Sequence, residues 1–235
     1  LKNTTADSNT AVGHNAMNVN TTGTNNVAVG ANALDANTTA SSNTAIGVNA
    51  LGATTTGTVN TAVGKDALLV NTTGTRNVAI GGFALDANTT AADNVAVGYN
   101  ALSANTTGAN NSAIGYQALR DNTTASSNTA VGYNSLLLNT TGTNNTALGK
   151  GAGRTQTTLN GCTWIGTDAG RVNIASDNTG VGAGALYSNT TGTSNTAVGT
   201  GVYGSTQGAL GANTTGSHNT SVGSRSLREN TTGSN

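Results

Sequence analysis

The chain has no proline, a single cysteine, a single tryptophan and very little charge, and each shortage closes off a class of protein. With Cys162 alone, no intrachain disulfide framework can form. Charged residues make up 8% of the 235, against the quarter or so usual in globular domains, and nine basic and nine acidic residues are scattered singly. No basic patch tracks a phosphate backbone, so nucleic acid is not expected as a partner. The same sparseness removes the charge repulsion that holds disordered chains open. Apolar runs end after a few residues, as in "ALLV" at 67–70, far short of the roughly 20 that a membrane helix needs, so no membrane insertion is expected.

What the chain does have is repetition. Residues 26–42 read "NVAVGANALDANTTASS", 94–110 read "NVAVGYNALSANTTGAN" and 128–144 read "NTAVGYNSLLLNTTGTN". Aligned on the glycine of "AVG", thirteen repeats start at Asn9, Asn26, Asn43, Asn60, Asn77, Asn94, Asn111, Asn128, Asn145, Cys162, Asn178, Asn195 and Asn219. The spacing is 17 residues, apart from one repeat of 16 and one of 24. Positions below are counted from these starts. The internal pattern is N-[TV]-A-[VI]-G-x-N-A-L-x-x-N-T-T-[GA]-[TSA]-x. The opening residues, with "NTT" at 3–5, match the second half of a repeat, so the chain reads as a segment of a longer repetitive protein.

Seventeen residues are too few for a helix–turn–helix repeat and match no coiled-coil period. Two short β-like pieces, "NTAV" and "NAL", separated by glycine corners, predict one turn of a parallel β-solenoid. The expected fold is all-β, a single repetitive segment over 1–235 of about 13 turns, with an irregular stretch at 150–177 and an insertion near 201–207. At about 4.8 Å per turn that makes a rod roughly 65 Å long. By the period of two, positions 2 and 4 are assigned to the core and the alanines at 3 and 8 to the outside, where small side chains would let another chain pack. In the turn from Asn128, Val131 and Leu136 are then core, Gly132 turns the chain, and Asn128 and Asn139 form hydrogen-bonded ladders.

The motifs "NNVAVG" at 25–30, "RNVAIG" at 76–81 and "NNSAIG" at 110–115 resemble the head repeats of YadA-like trimeric autotransporter adhesins. The fuller "NTTGTxNTAVGYNAL" pattern also resembles repeats of bacteriophage tail fibres. The resemblance covers essentially the whole chain and implies a left-handed parallel β-roll packed as a homotrimer. It departs in length, since the adhesin heads usually repeat every 14 residues or so.

Catalytic signals are weak. His14 and His218 occupy non-equivalent positions, the carboxylates are dispersed, and no serine has a local histidine partner. "GKGAG" at 149–153 lacks the spacing of a phosphate loop and reads as a modified corner. No enzyme activity, metal or cofactor is expected. Two irregularities stand out. Between 150 and 177, Gly153 and Gly170 replace the core leucine, and Trp164 takes an alanine position near Arg154, Asp168 and Arg171. Trp164 must either fill the space of the missing leucines or project outward as a sugar-stacking residue. In the insertion, Tyr203 is the expected contact residue.

The leading expectation is a structural segment of an extracellular fibre, on a virion tail or a bacterial surface. It would present a receptor-binding tip and contact host receptors or glycans along its length. One alternative is an ice-binding solenoid using threonine ranks at positions 14 and 16. Another is a polysaccharide-cleaving tailspike, which requires Asp168, Asp177 and a partner-chain acid to converge.

Overall fold

The computed structural model describes residues 6–201 and 207–234, and among these every regular element is a three-residue strand at positions 2–4 of a repeat, with no helix. The chain divides into two units, Leu1–Tyr116 and Gln117–Asn235. The first contains β1 (Thr10–Val12), β2 (Val27–Val29), β3 (Thr44–Ile46), β4 (Thr61–Val63), β5 (Val78–Ile80), β6 (Val95–Val97) and β7 (Ser112–Ile114). The second contains β8 (Thr129–Val131), β9 (Thr146–Leu148), β10 (Thr163–Ile165), β11 (Thr179–Val181), β12 (Thr196–Val198) and β13 (Thr220–Val222). Within each unit, every strand pairs in parallel with its successor, equivalent residue on equivalent residue. Six pairings in the first unit and five in the second close about eleven turns of a parallel β-solenoid, so the seventeen-residue period is one coil.

The facing of the strand is the reverse of the expectation. Position 3 points inward: Ala28, Ala45, Ala62, Ala79, Ala96, Ala113 and Ala130 are fully buried. Position 4 points outward, leaving Ile46 and Ile80 40% exposed and Val131 half-buried. The coil is too narrow for a branched side chain to meet the position-9 leucine across it, and alanine fits. Ala130 is therefore core, and leaves no room for a neighbouring chain.

The second expected strand, "NAL", is not a strand. Positions 7 and 9 both lie in the left-handed region, with Asn32 at φ 55 and Leu34 at φ 51, and the same holds turn after turn. Asparagine tolerates this conformation, but leucine is strained there by about 1–2 kcal/mol. Full burial of a leucine offsets it by roughly 1.5–3 kcal/mol. The two successive reversals let Ala33 and Leu34 both face inward, which alternation along a strand would forbid. Leu136 is buried in this way at φ 47.

Two asparagine ladders carry the polar side of the core. At position 1, Asn128 Nδ2 donates to the Gly142 carbonyl at 2.8 Å, and its Oδ1 accepts the backbone N–H of Asn145 at 3.0 Å. At position 12, Asn139 Nδ2 donates to the Gly142 carbonyl at 2.9 Å and to Asn122 Oδ1 at 3.1 Å. Position 5 admits only glycine. Gly132 has φ 134, and a Cβ there would stand 2.6 Å from the carbonyl oxygen of Gly149 in the next turn.

Candidate functional site

The irregular turns are a local exchange of volume. Trp164 is fully buried in β10, at the inward position that alanine holds elsewhere, so it cannot stack on a sugar. Its indole lies where three smaller side chains make room. A Cβ on Gly170 would overlap the ring at 2.3 Å, one on Gly153 would meet it at 2.7 Å, and one on Gly180 at 2.9 Å. Gly153 and Gly170 stand where other turns place leucine, and Gly180 where β11 would carry alanine. The indole N–H donates to Gln156 Oε1 at 2.8 Å, and Gln156 takes the position-12 place of asparagine. Cys162 substitutes for the position-1 asparagine: its backbone N–H donates to Asn145 Oδ1 at 3.0 Å and its Sγ–H to the Ala175 carbonyl at 3.5 Å. Burial pushes this thiol up to about 11, the nearby Asp177 adds to the rise, and the N–H of Asn178 opposes it.

On the surface over these turns, three of the expected residues do come together. Arg154, Asp168 and Arg171 line a cavity of about 280 Å³ with Tyr133, Asn134, Lys150 and Gly151. The repeat register explains the grouping. Tyr133 and Lys150 occupy position 6 in successive turns and form one wall, while Arg154 and Arg171 occupy position 10 and form the other. The floor is position 7: Asn134, then Gly151, then Asp168. Because Gly151 has no side chain, the Asp168 carboxylate leans into its place, and a Cβ on Gly151 would meet Asp168 Oδ1 at 2.3 Å. Arg171 Nη1 lies 3.5 Å from Asp168 Oδ2, and its guanidinium is 5.9 Å from the Tyr187 ring centre. In "GKGAG", Gly149, Gly151 and Gly153 have φ 137, 66 and 59, the ordinary backbone of positions 5, 7 and 9 with glycine in place of asparagine and leucine.

Sequence reasoning did not find Tyr133, Asn134, Lys150 or Gly151 as site residues. Their signal is the shared position across neighbouring turns, which becomes visible once the chain is written in rows of seventeen. Tyr203 lies outside the described residues. Asp177 does not join Asp168; it lies over Gly161, where a Cβ would stand 2.7 Å from its Oδ1. Asp168 is thus the one carboxylate among the described residues lining the cavity.

Two other surfaces stand out. In the first unit, Phe83 and Tyr99 meet edge to face, Tyr99 and Tyr116 stack at 5.8 Å, and Lys65 Nζ lies 5.3 Å from the Phe83 ring centre. The threonine ranks are divided in role. At position 13 the hydroxyl donates to the equivalent carbonyl one turn on, as from Thr72 to Thr89 at 3.1 Å. At position 16 the hydroxyl oxygen accepts a backbone N–H, as Ser41 does from Thr24 at 3.0 Å. Position 14, with Thr22, Thr39, Thr56 and Thr73, is exposed to solvent. Comparison of the chain with protein-family models, with curated proteins and with solved structures finds no match.

Proposed function

We propose that the chain is a structural segment of an extracellular fibre, in a phage tail or a bacterial surface appendage, in which three copies pack side by side. The observation that carries this reading is the outward row at position 4. Val12, Ile46, Ile80 and Ile114 in the first unit, and Leu148, Ile165 and Val222 in the second, are exposed at 37–70%. Within each unit, an outward row of apolar side chains, several of them exposed and the rest half-buried, is a surface that water does not favour. Its spacing is that of the coil, so the partner that matches it turn for turn is another copy of this chain. The packing surface is therefore the valine and isoleucine row, and the resemblance to trimeric adhesin heads supplies the number three. Little charge, tightly laddered turns and an extended repeat suit a stiff spacer that carries a binding tip. Light scattering on the purified chain tests this: a mass three times 22.9 kDa supports it, and a monomer at micromolar concentration rejects it.

A further inference from the structure

We propose that the slot opened by Gly151 binds a carboxylate-bearing saccharide, giving the segment a recognition site of its own on its flank; this rests on the reading of the chain as a surface fibre. Charge is the first reason. Lys150, Arg154 and Arg171 are three of only nine basic residues in the chain, and Asp168 is the single carboxylate among the described residues that line the cavity with them. Arg171 is engaged with Asp168, whereas Arg154 and Lys150 make no ion pair among the described residues. A guanidinium free to offer two parallel N–H groups is the usual partner of a carboxylate.

The remainder of the slot points beyond a bare anion. Its floor spans two turns from Asn134 to Asp168, about 10 Å at the strand spacing, which is room for a mono- or disaccharide. Asp168 offers acceptor oxygens for sugar hydroxyls. Asn134 is only 6% exposed and its Oδ1 has no hydrogen-bond partner, an open demand that a small turn of the amide toward a ligand hydroxyl would meet. Tyr133, 51% exposed at the wall, offers an aromatic face to a pyranose ring. An inorganic anion would use the cations alone; an acidic sugar uses every group in the slot.

Gly151→Asn is the decisive variant. Asparagine already holds position 7 at φ 55 in Asn134, so the backbone accepts it at φ 66, while the new side chain fills the slot and displaces Asp168. Arg154→Gln removes the unpaired guanidinium from the surface. Isothermal titration of the full chain with glucuronic acid and N-acetylneuraminic acid is compared with titration by glucose and by acetate. Expected is binding of at least one acidic sugar, weakened about tenfold or more in both variants at unchanged melting temperature, with glucose and acetate binding at least about tenfold more weakly. Binding that survives Gly151→Asn, or an acetate affinity equal to that of the acidic sugars, overturns the proposal. Light scattering of the same sample separates the two readings. A trimer that binds neither acidic sugar overturns the site alone, and a monomer that binds one supports the site while removing the fibre.

Discussion

Trp164 Nε1 donates to Gln156 Oε1 at 2.8 Å, and this bond is made at the expense of the asparagine ladder. Asn139, one turn earlier at position 12, is left with a buried Oδ1 that no donor reaches, and Gln156 Nε2 is buried without an acceptor. The tryptophan has therefore been accommodated by two linked exchanges, leucine for glycine in volume and asparagine for glutamine in polarity. Trp164→Ala is expected to destabilise the chain by about 3–5 kcal/mol, since three flanking glycines cannot close the space. Combining it with Gly153→Leu, Gly170→Leu, Gly180→Ala and Gln156→Asn rebuilds an ordinary turn. Gly153 and Gly170 sit at φ 59 and 58, close to the φ 47 and 51 of Leu136 and Leu119, so leucine is compatible with both. Urea unfolding should show the combined variant recovering the loss; a combined variant as unstable as Trp164→Ala would refute the volume exchange.

Much of this architecture was legible because stacking forces repetition. The period, the strand at positions 2–4, the glycine at 5 and the two asparagine ladders all follow from placing each residue over its equivalent. The facing of the strand runs against its hydrophobicity, although the sequence holds the means to decide it. Positions 1 and 3 share a face by the period of two, so a buried ladder residue such as Asn128 commits Ala130 to the interior and Val131 to the surface. Greater hydrophobicity made valine look like the core residue, but the width of the coil decides. The reversal at "NAL" had no such signal, because leucine does not announce a left-handed backbone. The slot residues were hidden for a third reason: Tyr133, Lys150 and Arg154 are ordinary surface choices individually, and only the register gathers them.

The ladders predict a sharp chemical distinction at Asn60. Its Nδ2 donates to the Gly74 carbonyl at 2.8 Å, while its Oδ1 accepts the backbone N–H of Asn77 at 3.0 Å. Asn60→Ala leaves the Asn77 N–H buried and unpaired and the Gly74 carbonyl with Asn71 Nδ2 at 3.1 Å as its remaining donor, and roughly 1–3 kcal/mol of stability should be lost. Asn60→Asp keeps the acceptor but sets a carboxylate against the Gly74 carbonyl. It should be as damaging at pH 7 and recover partly in acid, where the protonated carboxyl can donate again. Thermal unfolding followed at pH 7 and pH 4 distinguishes this from a mere packing role, for which pH would make no difference.

Cys162 predicts an alkaline limit. Its thiol is held neutral, pushed from 9.0 to about 11 mainly by burial, so the folded state retains a proton that the unfolded chain gives up. The resulting stabilisation is complete below about pH 9 and is lost as pH rises toward 11. Cys162→Asn should remove that part of the pH dependence, because an amide can occupy the same ladder place without titrating. At pH 8 the native thiol should resist an aromatic disulfide reagent and react promptly in urea. Prompt reaction of the native protein would contradict the burial.

The position-4 row can be tested without disturbing the coil. Ile46, Ile80 and Ile114 lie in one unit on alternate turns, each 40–42% exposed, while the inward neighbours Ala45, Ala79 and Ala113 carry the packing. Replacing all three isoleucines by lysine leaves the glycines, ladders and core untouched and sets one positive charge on every second turn. In an isolated chain, such surface changes should each alter stability by no more than about 0.5 kcal/mol. In a trimer packed through this row they would bury like charges against one another, which is far more costly than the apolar contact they replace. The expected result is a β-rich monomer by circular dichroism and light scattering. Ala79→Lys should do the opposite of what an outward alanine would allow: with no space for the side chain, it should unfold the coil locally and lower the melting temperature. If the lysine row still assembles into trimers and Ala79→Lys dissociates them without loss of stability, the alanines form the interface after all.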